Sequence, residues 1–172
     1  DGSCQIIVAC DVTDASNDKQ QAAPLAQATL TNLAQAGLER PKDEAGITQA
    51  LPVTLDNGYY SEAAVEALET LGCDPYIATA RQRHHVPEAD ASETPLTVQK
   101  RMAAKVRTPA GKALYARRKV IVEPVFGQIK EARGFRRFLL RGLDHIRGEW
   151  RLVCLTHNLL KIWRYGHVLG TA

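Results

Sequence analysis

Residues 51–79, LPVTLDNGYYSEAAVEALETLGCDPYIAT, contain the pattern that decides the fold class. Residues 51–55 form a short apolar run followed by turn-forming residues, which predicts a β-strand. Ser61 is a favourable N-cap residue, so a helix is predicted over about residues 62–71. Residues 75–79 predict another short strand. The succession of strand, helix and strand predicts a βαβ unit and therefore an α/β protein.

The segments before this unit extend the predicted sheet. Residues 5–12, QIIVACDV, form a β-branched run after the turn-forming residues 1–3, and they predict a strand leaving a hairpin. The other strand of that hairpin would precede residue 1, because an isolated strand cannot satisfy its backbone groups. Residues 19–36 predict an amphipathic helix that ends at Gly37. Together with the βαβ unit, the hairpin predicts a mixed α/β sheet with flanking helices.

The second half of the chain has the pattern of a helical region. Helices are predicted over residues 97–107, over residues 110–132 with a break near Pro124, and over residues 141–165. Residues 81–96 contain two prolines among acidic residues, which predicts a surface loop or insertion.

The composition is that of one globular domain. The chain has 172 residues, of which 45% are hydrophobic, and this excludes a disordered or collagen-like polymer. No apolar run approaches the ~18 residues of a membrane span, and the first residues lack the pattern of a secretion signal. We therefore expect a cytoplasmic protein. The four cysteines form no C-x-x-C pair, which favours reduced, mostly buried thiols over a zinc site or a disulfide framework.

The net charge of +3 averages two halves of opposite sign. Residues 1–99 hold 5 Lys and Arg against 15 Asp and Glu, a net charge of −10. Residues 100–172 hold 17 against 4, a net charge of +13. Such an asymmetry indicates a polyanionic partner such as nucleic acid, the alternative being a basic helical face that is only solvated.

Asp56 is the first candidate for catalysis. It follows the predicted strand 51–55 in the string Asp-Asn-Gly, and carboxylates at the C-terminal ends of strands in α/β sheets face the crevice where ligands bind. A metal ligand is one interpretation of this position. The alternative is turn chemistry alone, since Asp and Asn bond their own backbone and Gly adopts positive φ readily.

Glu123 is the second candidate. It lies between Val-Ile-Val (120–122) and Pro-Val-Phe (124–126), so its carboxylate is predicted to lie in an apolar environment where ionisation requires a cation. Pro124 is suited to the first turn of a new helix, which would place Glu123 at a helix N-terminus. The alternative is an ion pair with one of the neighbouring cationic residues, which are Arg117, Arg118, Lys119 and Lys130.

Two carboxylates and a basic second half suit metal-assisted phosphoryl transfer. Mg²⁺ prefers carboxylate and phosphate oxygens, and two such ions can activate a hydroxyl nucleophile and stabilise a leaving oxygen. Asp56 and Glu123 would then belong to one set of metal ligands. The cationic side chains after Glu123 would hold the phosphodiester substrate; they are Lys130, Arg133, Arg136, Arg137 and Arg141.

Several strings together resemble a known family. DNGYYSE (56–62), VEPVFGQIK (122–130) and GFRRFLLRG (134–142), with Tyr115-x-x-Arg118, closely resemble the C-terminal part of the catalytic domain of bacterial insertion-sequence transposases of the DDE type. The resemblance extends over essentially the whole chain and includes HNLLK (157–161). It implies a ribonuclease-H-like fold, two Mg²⁺ ions with Mn²⁺ as a substitute, and DNA cleavage and strand transfer at the ends of a mobile element.

The resemblance also assigns roles to residues. It implies that Asp56 is the second catalytic aspartate and Glu123 the catalytic glutamate, both of them metal ligands. A Tyr-Arg-Glu-Lys signature that contacts DNA near the cleavage site is matched by Tyr115, Arg118, Glu123 and Lys130. Four residues separate Arg118 from Glu123, against three in the family's usual pattern, so Arg117 and Lys119 stay as alternatives for the arginine role.

The resemblance further implies the partners of the protein. These are transposon-end DNA and target DNA, and a further copy of the chain, because two DNA ends must be joined in one complex. We expect the protein to act in the cytoplasm of a bacterium, at the nucleoid.

The family's first catalytic aspartate has no convincing match in the chain. In relatives it lies on the first strand of the sheet, which the hairpin pattern places before residue 1, and neither Asp1 nor Asp11 matches it. We therefore expect residues 1–172 to be a single catalytic domain without its first strand, which binds DNA but does not cleave it alone. The alternatives are a metal-dependent nuclease of the same fold and a non-catalytic DNA-binding remnant.

Other conspicuous residues are expected to have structural roles. His84 and His85 are adjacent and would point to opposite sides of a surface loop, which disfavours joint metal binding. His157 lies on an apolar helix, where a hydrogen-bonded structural role is expected. Trp150 and Trp163 are expected to be packing residues.

Overall fold

The computed structural model describes residues 4–79 and 97–169. These residues form five α-helices and two strands: α1 (Ala22–Gln35), β1 (Leu51–Leu55), α2 (Glu62–Thr70), β2 (Cys73–Ile77), α3 (Val98–Arg107), α4 (Pro109–Gly127) and α5 (Leu143–Leu169). The chain divides into two compact units. The N-terminal and C-terminal residues form the first unit, which we call the terminal unit and which comprises 1–16, 28–38 and 116–172. The βαβ unit lies in the second, which we call the central unit and which comprises 17–27 and 39–115.

The βαβ unit of the central unit forms as predicted. β1 and β2 pair in parallel, with Leu51 opposite Cys73 and Leu55 opposite Ile77. Ser61 is the N-cap of α2, and its hydroxyl accepts a hydrogen bond from the Ala64 N–H at 3.1 Å. β2 begins two residues earlier than the sequence predicted, because the hydrogen bond from the Leu51 N–H to the Gly72 carbonyl starts the pairing directly after α2.

The core of the central unit is built by α2, β2 and α3. The side chains on the inner faces of these elements are buried: Ala64, Val65, Leu68, Cys73, Ile77, Met102 and Val106. Burial alternates along β2, as expected for a strand with one face on the core. Lys105 of α3 donates to the Pro75 carbonyl at 2.9 Å and pairs with Asp74, which ties α3 to the strand.

The terminal unit packs α5 against the second part of α4. Val125, Ile129 and Val153 form its buried centre, and the partly buried Phe135 and Trp150 pack against them. A π-helical turn, Gln128–Ala132, follows α4 directly. The core of this unit therefore consists of a few buried aliphatic side chains from helices, covered by partly buried aromatic rings.

Residues 5–12 differ from the prediction. They pair with no strand in the described part of the chain, where the sheet consists of two parallel strands; the partner strand predicted before residue 1 stays a prediction. Side-chain amides take the place of a neighbouring strand. Oδ1 of Asn158 accepts a hydrogen bond from the Ile7 N–H at 2.9 Å, and Nδ2 of Asn158 donates one to the Ile7 carbonyl at 2.8 Å. Nδ2 of Asn32 donates to the Val8 carbonyl at 2.8 Å.

The break predicted near Pro124 is also wrong. α4 continues through Pro124 to Gly127, so Glu123 lies inside a helix and not at its N-terminus. The loop or insertion predicted for residues 81–96, with its pair His84 and His85, lies outside the described residues, as does Asp1. No helix within residues 4–79 and 97–169 is long and apolar enough to cross a bilayer.

Candidate active site and nucleic-acid interface

Asp56 lies at the C-terminal end of β1, where the sequence placed it. It is the N-cap of a 3₁₀ turn, Asn57–Tyr59, and its Oδ1 accepts a hydrogen bond from the Gly58 N–H at 3.0 Å. The turn chemistry offered as an alternative is therefore present. The cap holds the Asp56 side chain in a defined orientation at the end of the strand.

A second carboxylate, that of Asp18, lies beside Asp56 in the central unit. A Cβ added to Gly58 would lie 3.2 Å from Oδ1 of Asp56 and 3.7 Å from Oδ2 of Asp18, so both carboxylates flank the same glycine. Burial raises the pKa of the Tyr59 hydroxyl, and the negative charges of Asp18 and Asp56 raise it further. Sequence reasoning missed Asp18, because no local pattern connects it to residue 56.

The donor chemistry of this pair fits a hard divalent cation. Mg²⁺ takes carboxylate oxygens and typically combines one or two of them with water and substrate phosphates. Asp56 and Asp18 supply such oxygens at the sheet end where ligands of α/β proteins bind. Across residues 4–79 and 97–169, no three His, Cys, Asp or Glu side chains gather into a metal-binding group.

Glu123 lies in the terminal unit, on the exposed side of α4. Glu123 is exposed, and so are three of its apolar neighbours, Val120 (64%), Val122 (41%) and Phe126 (42%), so the predicted apolar environment around the carboxylate is wrong. The reason is that α4 buries only Val125 in this stretch. Asp56 thus belongs to the central unit and Glu123 to the terminal unit.

The remaining members of the predicted signature lie along α4 and the π-helical turn. Tyr115 and Arg118 are half-buried, whereas Arg117 and Lys119 are exposed. Lys130 is exposed in the π-helical turn, and its ammonium lies 5.5 Å from the centroid of the Phe126 ring. The π-helical turn shifts Lys130 around the helix axis relative to the position that α-helical spacing from Glu123 predicts.

The predicted DNA-contacting arginines lie on one exposed segment, residues 133–142, which we call the arginine loop. Arg137 and Arg141 are exposed, and Arg136 pairs with the exposed Glu131. Arg133 instead anchors the start of the loop, since its guanidinium donates to the Val153 carbonyl at 3.1 Å and to the Thr156 hydroxyl. The Arg133 guanidinium is thus held by hydrogen bonds to α5, whereas Arg136, Arg137 and Arg141 are placed by the backbone of the arginine loop.

The arginine loop is held in shape by α5. The carboxylate of Glu149 accepts the Leu139 N–H through both oxygens at 3.0 Å and the Leu140 N–H at 3.1 Å. Phe135 and Phe138 contact Trp150 with ring centroids 6.4 and 6.3 Å apart. The positively charged loop is therefore held in one conformation by α5. No local sequence pattern predicts this role of Glu149.

The structure decides the roles expected for His157 and the tryptophans. His157 is 1% exposed and its Nε2 bonds the Gln5 carbonyl at 3.0 Å, which confirms the structural role. Burial is the main cause that lowers the pKa of His157, so the ring is neutral and Nε2 is the donor. Trp150 packs as expected, also stacking on Phe126 at 6.2 Å. The packing role expected for Trp163 is wrong, because the residue is 80% exposed.

The four cysteines all lie in the described part of the chain and form no disulfide there. Cys4, Cys73 and Cys154 are buried thiols and Cys10 is half-buried. Burial and the neighbouring Cys10 raise the pKa of the Cys154 thiol to about 12. Burial and a raised pKa both disfavour the thiolate of Cys154, as expected for a small core residue.

Comparison with known proteins identifies a family. The family described as "Transposase DDE domain" matches residues 74–163, which are 90 of the 172 residues of the chain. The matched stretch contains α3, α4 and the arginine loop, and most of β2 and α5. No curated protein and no solved structure matches the chain.

Proposed function

Because the chain belongs to the DDE transposase family, whose partner is DNA, we propose that it provides catalytic carboxylates for cleaving and joining phosphodiester bonds at the ends of a mobile DNA element. The proposal includes a ribonuclease-H-like fold, of which the parallel βαβ unit is a part. It also includes a complex with at least two copies of the protein, since two DNA ends are joined in one event.

The observation that carries the proposal is the position of Asp56. The residue follows β1 in a parallel βαβ unit, and the hydrogen bond from Gly58 orients its carboxylate beyond the end of the strand. In α/β sheets this edge is where ligands bind. Asp56 therefore lies where the architecture predicts a ligand site, and its carboxylate supplies the oxygen atoms that divalent metals prefer.

The proposed roles divide between the two units. Asp56 and Glu123 would hold the divalent ions, Mg²⁺ or Mn²⁺, which when bound activate a hydroxyl nucleophile and stabilise the leaving oxygen of an in-line transfer. Tyr115, Arg118 and Lys130 would contact the DNA near the cleaved bond. The arginine loop would hold the flanking phosphates, chiefly through its exposed guanidinium groups.

A cleavage and strand-transfer assay on the full-length protein tests the catalytic part. With element-end DNA and Mg²⁺, Asp56→Asn and Glu123→Gln should each abolish cleavage and leave DNA affinity largely intact. Asp14→Asn and Glu44→Gln make the same chemical changes at exposed carboxylates and serve as matched controls. Cleavage without a joined product would identify a nuclease of the same fold rather than a transposase.

The salt dependence of DNA binding tests the interface. The chain should bind element-end DNA with an affinity that falls steeply with salt, because bound arginines displace counterions. Arg137→Ala and Arg141→Ala should each reduce the slope of log K against log salt by about 1. Arg101→Ala is the control, since Arg101 pairs with Glu69 in the central unit. Binding that does not respond to salt would contradict the proposed interface, and binding with no cleavage by the full-length protein would identify a non-catalytic remnant.

A further inference from the structure

Pro124 leaves a backbone acceptor without its helical partner. In α4 the carbonyl of Val120 would accept from the N–H of residue 124, but proline has none, and its ring also crowds that carbonyl. The structure supplies the missing donor from another segment. Nε2 of Gln5 donates to the Val120 carbonyl at 3.2 Å, across 115 residues of sequence.

The Gln5 side chain is itself held by two donors. Its Oε1 accepts from Nε2 of Gln128 at 3.1 Å and from Nζ of Lys161 at 2.9 Å. Lys161 is 4% exposed, and burial is the main cause that lowers its pKa. Burying an ammonium is costly, so its placement on Gln5 indicates a site built to fix this amide.

The Gln5 backbone is also constrained. Gln5 has φ of 60°, in the left-handed region, and it is the one non-glycine residue with positive φ in the described parts of the chain. Such a conformation costs on the order of 1 kcal/mol and persists where surrounding contacts enforce it. Here the buried His157 donates to the Gln5 carbonyl at 3.0 Å, which fixes the residue from its backbone side.

These contacts converge on the helical turn that carries Glu123. Val120 precedes Glu123 by three residues and Pro124 follows it directly, so the carbonyl that Gln5 caps lies in the same turn. Without a donor, a helix at an interior proline opens or kinks further. We propose that Gln5 is a positioning residue for Glu123, which replaces the hydrogen bond removed by Pro124 and so fixes the direction of the Glu123 carboxylate. The inference rests on the proposed catalytic role of Glu123.

Gln5→Glu is the sharpest test, because it removes the Nε2 donor and keeps an oxygen for Lys161 and Gln128. Amide hydrogen exchange in residues 121–127 of the chain should become about 3- to 10-fold faster, as expected for the loss of one hydrogen bond. Single-turnover cleavage by the full-length protein should fall about tenfold, because the carboxylate is misplaced, while DNA affinity stays within about twofold. Gln49→Glu, at an exposed glutamine of the central unit, is the control.

Rescue separates a positioning role from general destabilisation. Pro124→Ala restores an N–H that can bond the Val120 carbonyl, so adding it to Gln5→Glu should return both exchange and cleavage close to the values of Pro124→Ala alone. Failure of this rescue, or unchanged exchange in both Gln5→Glu and Gln5→Met, would overturn the inference. If Glu123→Gln retains cleavage, the proposed function fails instead, and the exchange and rescue data still decide whether Gln5 supports this turn.

Discussion

Truncating Glu149 should open the arginine loop, because this one carboxylate accepts the N–H groups of Leu139 and Leu140. Leu139 is 74% exposed and Leu140 is 50% exposed, so burial of their own side chains contributes little protection to these amides. In Glu149→Ala both amides lose their acceptor. They should then exchange with solvent far more rapidly than in the unsubstituted protein.

The magnitude follows from the hydrogen bonds. A hydrogen bond to a charged group contributes about 1.5–3 kcal/mol, and partial exposure of this carboxylate places the two together at about 2–3 kcal/mol. Exchange of the two amides should therefore accelerate about 30- to 150-fold, up to the limit set by global unfolding. Glu149→Gln, which keeps one acceptor oxygen without the charge, should give a smaller acceleration.

Hydrogen exchange followed by NMR measures both amides individually. Glu44→Gln, at an exposed carboxylate of the central unit, should leave them unchanged. Equal exchange rates in Glu149→Ala and the unsubstituted protein, with the fold intact by circular dichroism, would refute the conclusion that Glu149 orders the loop. The ring contacts of Trp150 with Phe135 and Phe138 would then be sufficient to hold it.

Further predictions concern single side chains. Because the pKa of buried His157 is lowered, the unfolded state binds more protons than the folded state. The free energy of unfolding should therefore rise as the pH rises towards and through about 6.5, the ordinary pKa of histidine. Chemical denaturation of His157→Gln should show a weaker rise. Gly58→Ala places a Cβ 3.2 Å from Oδ1 of Asp56 and should lower the free energy of unfolding by about 1 kcal/mol through loss of the cap, measured in urea. The raised pKa values of Cys73 and Cys154 should keep both thiols unmodified by iodoacetamide at pH 8 in the folded chain, and labelling found by mass spectrometry before unfolding would contradict this.

The elements that the sequence predicted well are those governed by neighbouring residues. The N-cap of Ser61, the end of α1 before Gly37 and the turn after β1 each depend on two to four consecutive residues, and each formed where expected. The Pro124 break failed for a nonlocal reason. A donor from Gln5 compensates for the missing N–H, and no helical pattern in residues 110–132 contains that information.

The candidate site shows the same division. Asp56 was found because a carboxylate directly after a strand is a local signal. Asp18 beside it was not, since the two approach only through the folding of the central unit. Likewise, the charges of the arginine loop were evident, but the role of Glu149 depends on α5 packing behind the loop.

By itself, therefore, the sequence determined the βαβ unit, the position of Asp56 and the positive charge of the second half, because periodicity, capping and composition act over short distances along the chain. Only the tertiary structure decided how residues 5–12 are held, since Asn158 reaches the Ile7 backbone across 151 residues and takes the place of a strand. It also decided which cations bond within the fold, as Arg133 does to the Val153 carbonyl and the buried Lys161 does to Gln5. Hydrogen bonds between distant segments satisfy backbone groups that have no partner within their own segment. The buried ammonium of Lys161 also requires such a bond, because burying a charge without a hydrogen-bond partner is costly.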